Sequence, residues 1–462
     1  MALAFKLFNK KFTKKYIESK YDFYISNNTA SGIDKLQKKK FDLIKNDQIQ
    51  VIVNKVRSGT YKFTFYKENL IIKNRDSLPR MISIPTLRDR IVMKVLHEIL
   101  RDTFKIELKL VQSVIKKLTE ESTKYDSYIK IDISNFFGTL DQDLLMKKIK
   151  KRVRKKEILC LIEDSIKTPT VNSYHRKENE IIGNFKGVPQ GIPISNVLAE
   201  IYLKDLDYLY LQRQDLAYFR YVDDILILCN KSDVFDIESE IKKYILEEYN
   251  LNINFQKSTS GSLYDGINYL GYTFEKRNDN LFVCSVKKES LIKIENSLAS
   301  LLARFKNLEG KMKPSELIFY LNLKITGAFV KDGNDLSKET EIKTKKYGWL
   351  FFYSQINDLR VLYHLDYLVD KFIDKYDKNG LIDKLLVKKF VKSYYEITQK
   401  RNKSHYIFNP SSFSIEDKKQ FLIDTFAMKT KDLKTEASID YHFNIRIKRK
   451  ILELEEDIQT FS

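Results

Sequence analysis

Two adjacent carboxylates, Asp223 and Asp224, interrupt an otherwise apolar stretch, with Tyr218 and Phe219 just before them and Ile225, Leu226, Ile227 and Leu228 just after. Carboxylates set between β-forming runs are costly to desolvate unless a cation offsets them, and hard divalent ions such as Mg²⁺ take oxygen ligands. An acid pair at the tip of an ordinary hairpin is the alternative reading, since Asp is a common turn residue. A third acid stands in Tyr128-Ile129-Lys130-Ile131-Asp132-Ile133. Alternation there puts the three isoleucines on one face of a strand and Lys130 and Asp132 on the other. Neighbouring strands that present Asp132 beside Asp223 and Asp224 would hold a pair of divalent ions about 3.5–4 Å apart, which suits nucleotidyl transfer: one ion activates a hydroxyl and the other stabilises the leaving pyrophosphate.

Such acids need elements to position them. Between the two acid-bearing strands lies Gly187-Val188-Pro189-Gln190-Gly191-Ile192-Pro193. It is followed by Ile194, Val197, Leu198 and Ile201 at the i, i+3, i+4, i+7 spacing of a buried helix face. The glycines and prolines make a shaped turn that lets backbone approach a ligand, and Gln190 offers its amide to a nucleotide.

The order Lys130-Ile131-Asp132-Ile133-Ser134-Asn135-Phe136-Phe137, then Gly187-Val188-Pro189-Gln190-Gly191, then Tyr221-Val222-Asp223-Asp224 resembles the palm of a reverse transcriptase. Leu251 to Ser258 is similar to the lysine-bearing segment after the catalytic hairpin, and Asn268-Tyr269-Leu270-Gly271-Tyr272 to the primer grip. Ser31 to Lys35 and Ile84 to Val92 look like the amino-terminal segments of bacterial enzymes of the group II intron, retron and phage-defence lineages. The resemblance implies that Asp132, Asp223 and Asp224 are the catalytic metal ligands, binding two Mg²⁺ ions with Mn²⁺ as a substitute. It also implies a dNTP site built from Lys73, Arg80, Phe137, Gln190 and Lys257. Lys73 and Arg80 have the spacing of the family's triphosphate-holding pair, and Phe137 falls where an aromatic ring excludes the ribose 2′-hydroxyl. Ordinary surface charge for the first two, and core packing for the phenylalanine, are the alternatives. The chain departs from the family at Ile192-Pro193 and Ser195-Asn196, changes that remove no acid.

The chain carries 82 Lys and Arg against 62 Asp and Glu, a formal charge of +20, which favours a phosphate-backbone partner. Richness in Lys, Ile, Asn and Tyr also follows from an AT-rich genome. Two basic runs are nucleic-acid candidates. One is Lys147, Lys148, Lys150, Lys151, Arg152 and Arg154, continuing into Lys155 and Lys156, in a helical pattern capped by Asp141 and anchored by Leu145, Ile149 and Val153. The other is Lys388, Lys389 and Arg401, with Lys392, Lys400 and Lys403 around Tyr394 and Tyr395. A solvated helix face is the alternative for both.

At 462 residues the chain has room for several domains and a sizeable core. The expected fold class is α+β, a right-hand polymerase of fingers, palm and thumb with an antiparallel palm sheet and a helical C-terminal extension. The expected domains are 1–120 for N-terminal helices and fingers, 121–285 for the palm, 286–375 for a helical thumb and 376–462 for the extension. Three scattered cysteines argue against a disulfide framework or a cysteine zinc site. No long apolar run or signal-peptide profile is present, so a cytoplasmic protein without a membrane partner is expected.

The resemblance implies an RNA-directed DNA polymerase that uses dNTPs, an RNA template or dedicated noncoding RNA, and makes a DNA product. Its phage-defence flavour, carried by Leu321 to Gly327, Tyr347-Gly348-Trp349 and Leu362 to Asp366, implies a bacterial antiphage role. Untemplated or protein-primed synthesis by the same site, and a maturase-like splicing factor, are the alternatives. Primer and oligomeric state are not legible.

Overall fold

The computed structural model describes residues 2–26, 29–72, 79–107, 109–172, 183–278, 281–307, 312–331, 344–400 and 404–458. The chain divides into two units. The first comprises Met1–Lys109 and Ser127–Gly261, the second Leu110–Asp126 and Ser262–Ser462. The motifs through Lys257 lie in the first unit, whereas the Asn268 to Tyr272 segment lies in the second.

In the first unit, strands β1 (Tyr66–Ile71), β2 (Arg80–Ile84) and β4 (Thr170–Val171) form a small sheet of order β2-β1-β4. A second sheet, of order β5-β6-β3-β7, is built from β3 (Ser127–Asp132), β5 (Ala217–Tyr221), β6 (Asp224–Cys229) and β7 (Thr259–Ser262). β6 runs antiparallel to both β3 and β5. Its burial explains its sequence: Ile225 to Cys229 are all fully enclosed, so β6 reads as a continuous apolar run. β3 is half-buried, with Ile129 and Ile131 at 0% exposure and Tyr128, Lys130 and Asp132 on the more open face.

Helices enclose this sheet in one apolar core that includes Ile91, Ile131, Val197, Ile227 and Ile241. The Ser195–Leu211 helix buries Val197, Leu198 and Ile201, as its spacing predicts. Asp141 caps the Gln142–Lys150 helix by accepting from the Leu144 N–H at 2.9 Å. That helix stops at Lys150, and a new one begins at Lys156, so the basic run does not lie on one continuous helix. Like charges at i, i+4 (Lys147/Lys151, Lys150/Arg154) disfavour its continuation, and Val153 turns inward to full burial.

In the second unit, β8 (Ile267–Tyr269), β9 (Tyr272–Lys276) and β10 (Phe282–Val286) form an antiparallel meander. Helices Lys288–Asn307, Pro314–Thr326 and Arg360–Tyr376 follow. A two-stranded sheet, β11 (Ala328–Lys331) with β12 (Thr344–Tyr347), lies between helices of the 286–375 stretch. Gly327 and Gly348 flank it, and its pairing places Phe329 in the interior. Helices Ile415–Phe426 and Glu436–Glu453 close a second core around Leu422, Phe443 and Ile447. No helix among the described residues is long and apolar enough to cross a membrane. Both units mix helix with antiparallel sheet, which is the expected α+β class.

Candidate active site

Register brings the acids together. Asp132, last residue of β3, pairs directly with Asp224, first residue of β6. Asp224 also pairs with Tyr221 across a two-residue turn made by Val222 and Asp223. All three carboxylates therefore sit at one end of two adjacent strands. Like charges directly opposite each other are destabilising unless a cation offsets them. Two lysines do so at arm's length: Lys130 Nζ lies 3.9 Å from Asp224 Oδ1, and Lys257 Nζ lies 4.0 Å from Asp132 Oδ2. Burial pushes the Asp224 carboxyl up to about 6; Lys130 opposes the rise, and Asp223 and Asp132 add to it. The site thus holds more negative charge than its own lysines comfortably balance.

Among the described residues no three His, Cys, Asp or Glu side chains converge into a ready-made metal cage. The donor set still fits Mg²⁺, which keeps several waters and is bound by one or two carboxylates plus substrate phosphates rather than by an all-protein cage.

The turn that carries Asp223 is strained. Val222 has φ +58°, a left-handed conformation that is a genuine outlier for a β-branched residue. A buried arginine holds it there. Arg220, with its side chain 3% exposed, donates from Nη1 to the Val222 carbonyl at 2.7 Å. The same guanidinium bonds Asp207 through Nε at 2.7 Å and Glu200 through Nη2 at 2.7 Å. Tyr218 Oη donates to Asp207 at 3.0 Å. Arg220 escaped the sequence reading, although an arginine in the apolar run Ala217-Tyr218-Phe219-Arg220-Tyr221 was its visible signal.

The Gly187 to Gly191 turn is clamped from both sides. Val188 N–H donates to the Phe137 carbonyl at 2.7 Å, and Gly187 N–H to Leu140 at 2.9 Å. On the other side, Ser83 N–H of β2 donates to the Gln190 carbonyl at 2.7 Å. Gly187 has φ +75°, and a Cβ there would lie 2.5 Å from the Gly138 carbonyl oxygen; Gly191 has φ +98°, and a Cβ would lie 2.5 Å from Ile82. Both positions require glycine. Phe137, in the short helix Phe136–Thr139, is half-buried with its ring 5.5 Å from that of buried Phe136. The segment carrying Lys257 is tied to the end of β3: Asn254 N–H donates to the Asp132 carbonyl at 2.8 Å, and Ser258 Oγ accepts from the Asp132 N–H at 3.1 Å.

Backbone bonds therefore link the segments of Asp132, Phe137, Gln190 and Lys257, and they reach β2, whose first residue is Arg80. Lys73 lies outside the described residues, as does Arg401.

The basic runs divide. Lys148 is buried, bonded to Asp205 at 2.7 Å and held 4.6 Å from the Tyr249 ring centre. Arg152 lies over the Phe104 ring, while Lys147, Lys150, Lys151 and Arg154 are exposed. In the second unit Lys388 donates to the Tyr406 carbonyl and Lys389 to Asp370 at 2.7 Å. Lys400 bonds Glu396 at 2.8 Å, and Tyr394 Oη bonds the Ile356 carbonyl at 2.6 Å.

Residues 72–274 match the family model described as reverse transcriptase (RNA-dependent DNA polymerase). This segment is similar to reverse transcriptase domains. It contains the three acids, the clamped turn and the β8–β9 hairpin. The chain is 25% identical to Protein YkfC of Escherichia coli over 328 residues, covering 59% of this chain and 84% of that protein. It is 24% identical to the group II intron-encoded protein LtrA of Lactococcus lactis over 183 residues, 37% of this chain and 29% of that protein. Among solved structures, a telomerase from Candida albicans in complex with a fragment of telomeric RNA overlaps 97% of this chain and 68% of its own, with a TM-score of 0.45 and 15% identity.

Proposed function

We propose that the domain polymerises DNA on an RNA template, with Asp132, Asp223 and Asp224 as the ligands of two Mg²⁺ ions. The observation that carries the reading is the register of β3 against β6, which sets Asp132 opposite Asp224 with Asp223 in the adjoining turn. Bound there, the ions would supply activation of the primer hydroxyl and charge neutralisation at the leaving pyrophosphate. Arg220 fixes the turn through the Val222 carbonyl, so that Asp223 keeps its place without reorganising. Phe137 bounds the sugar position, its backbone joined to the turn that presents Gln190. Arg80, and by its spacing Lys73, meet the triphosphate. Lys257, 65% exposed beside Asp132, is placed to reach the same nucleotide. The exposed Lys147, Lys150, Lys151 and Arg154 are candidates for RNA contact. A dedicated noncoding RNA and an antiphage role are supported by the sequence resemblance alone.

Extension of a primer annealed to an RNA template, with each dNTP and Mg²⁺, tests the proposal. RNA-templated incorporation that disappears in Asp223→Asn with Asp224→Asn is the expected result. Incorporation that persists when the template is omitted would instead support untemplated or protein-primed synthesis. Splicing assistance that survives loss of the acids would support the maturase alternative.

A further inference from the structure

The helix Leu87–Phe104 is the most enclosed in the first unit. Twelve of its eighteen residues are buried, and of the six that are not, Arg88, Arg90, Lys94, His97 and Arg101 are basic and only Asp102 is acidic. Arg90, Lys94, His97 and Arg101 fall at i, i+4, i+7 and i+11, which is one stripe along the helix. A helix walled in largely by apolar packing thus presents a half-buried stripe with Arg90, Lys94 and Arg101 as its cations and the neutral His97 ring between them.

Arg101 is paired with Asp102 at 3.1 Å, and the other three side chains of the stripe have no partner among the described residues. Arg90, Lys94 and His97 make no hydrogen bond or ion pair with another described residue, and the Nε of Arg90 is buried without an acceptor. The nearby acids are already engaged. Glu98 accepts from Lys11 at 3.1 Å and from Tyr24 at 2.9 Å, and also from Tyr16. Asp102 accepts from Lys11 at 2.7 Å and from Arg101 at 3.1 Å. Burial holds the Arg90 and Lys94 groups below their ordinary values, with Arg90 adding to the effect on Lys94. His97 is pulled down to about 4 by burial and by the charges of Lys94 and Arg101, against the opposing pull of Glu98 and Asp102. The half-buried like charges of Arg90 and Lys94, to which no acid of the described residues is bonded, are unfavourable in the protein alone, and a partner that brings negative charge relieves them.

We propose that Arg90 and Lys94, with Arg101 at the far end of the stripe and the neutral His97 ring as a hydrogen-bonding group between them, form a half-buried phosphate track that seats the backbone of the partner RNA. The inference rests on the RNA-dependent reading above but adds residues that belong neither to the catalytic acids nor to the two basic runs. A strand suits the site better than a single anion. The stripe spans eleven residues of helix, about 16 Å at 1.5 Å per residue, which is several phosphates long, and its groups read charge rather than base identity.

The test is RNA binding without nucleotides, using a fluorescent single-stranded RNA and the full chain across a salt series. Arg90→Met with Lys94→Met should weaken binding about tenfold and lower the slope of log K against log salt by roughly 1.4, or 0.7 for each lost phosphate contact. The RNA-free variant should melt no lower than the parent, because two half-buried like charges have been removed. A structural role would give the opposite pair, a lower melting point with unchanged affinity and slope, and would overturn the proposal. If the double variant fails to fold, Arg90→Gln and Lys94→Gln taken singly carry the same test. The charge-preserving Arg90→Lys with Lys94→Arg should restore binding. RNA binding that depends on the stripe in a parent inactive in primer extension would sink the polymerase proposal and leave the track intact; the converse result would do the reverse.

Discussion

Replacing Arg220 separates its two duties, balancing charge in the interior and holding the catalytic turn. Its guanidinium contacts Asp207, Glu200 and the Val222 carbonyl at once. Arg220→Met leaves Asp207 and Glu200 facing a cavity without their cation, a change that costs about 3–5 kcal/mol when one partner of a buried ion pair is removed. Against a total stability of roughly 5–15 kcal/mol, that variant stands near unfolding and says little about catalysis. Arg220→Lys is the informative change. It keeps the charge near the acids but loses the planar fork, so it cannot serve both carboxylates and the carbonyl together. The lost charge-assisted bond costs about 1.5–3 kcal/mol, which a folded protein survives.

With the Val222 carbonyl released, the left-handed turn relaxes and Asp223 drifts. Misplacement by about 1 Å at a reacting centre costs on the order of a hundredfold in rate. The expectation for Arg220→Lys is a cooperative denaturation curve shifted to lower denaturant, with kcat down roughly ten- to a hundredfold and KM for dNTP little changed. Primer extension at saturating dNTP, corrected for the folded fraction, gives the measurement. A folded Arg220→Lys enzyme with parental kcat would show that the turn holds its shape without the arginine, and the positioning argument would fail.

Four further outcomes follow from the same structure. Asp223→Asn with Asp224→Asn should abolish Mg²⁺-dependent incorporation while circular dichroism stays unchanged; retained incorporation would falsify the catalytic assignment. Phe137→Ala should raise the ratio of rNTP to dNTP incorporation efficiency, and an unchanged ratio in an active variant would make Phe137 a packing residue. Lys388→Ala with Lys389→Ala should leave RNA affinity and salt slope within about twofold, because both ammoniums are taken up by Tyr406 and Asp370, whereas reversing the charge of exposed Lys147, Lys150 and Arg154 should weaken binding. His97 has its folded value depressed to about 4 from 6.5, so it contributes stability above pH 6.5 that is lost as pH falls through 4, a difference of roughly 3 kcal/mol; His97→Gln should flatten the melting temperature over that window, and an unaltered pH profile would show that the ring titrates normally.

The acids were legible because period-2 alternation fixes which side of a strand each residue occupies, and two runs of it set Asp132 and Asp224 on strands that can pair. The glycines of the 187–191 turn were legible for a similar local reason: only glycine suits the positive φ that the turn adopts. What stayed hidden depends on partners far away in the chain. Lys148 reads as one more lysine in a basic run until Asp205 and Tyr249 close over it. Lys388 likewise disappears against Tyr406, eighteen residues on. The β11–β12 pair was invisible because its strands are only four residues each, too short for periodicity to tell strand from helix.

Arg220 and the Leu87–Phe104 stripe show the two fates of a buried cation, and the contrast gives the charge pattern a functional meaning. Arg220 is enclosed more fully than any of the stripe's residues, yet Asp207 and Glu200 compensate it, so its cost is met inside the fold and its work is structural. Arg90 and Lys94 are less deeply buried and have no acid bonded to them among the described residues, since Glu98 and Asp102 are held by Lys11, by Tyr24 and by Arg101. A fold that needed them only for packing would lose nothing by carrying methionine or glutamine there. Their cost is instead deferred to an encounter with a polyanion, so the stripe should be the part of the first unit whose local stability rises most on RNA binding. Hydrogen exchange read with and without RNA should slow the amides of the solvent-facing turns around Lys94 and His97, while the amides beneath Arg220, already satisfied, should exchange at the same rate in both states.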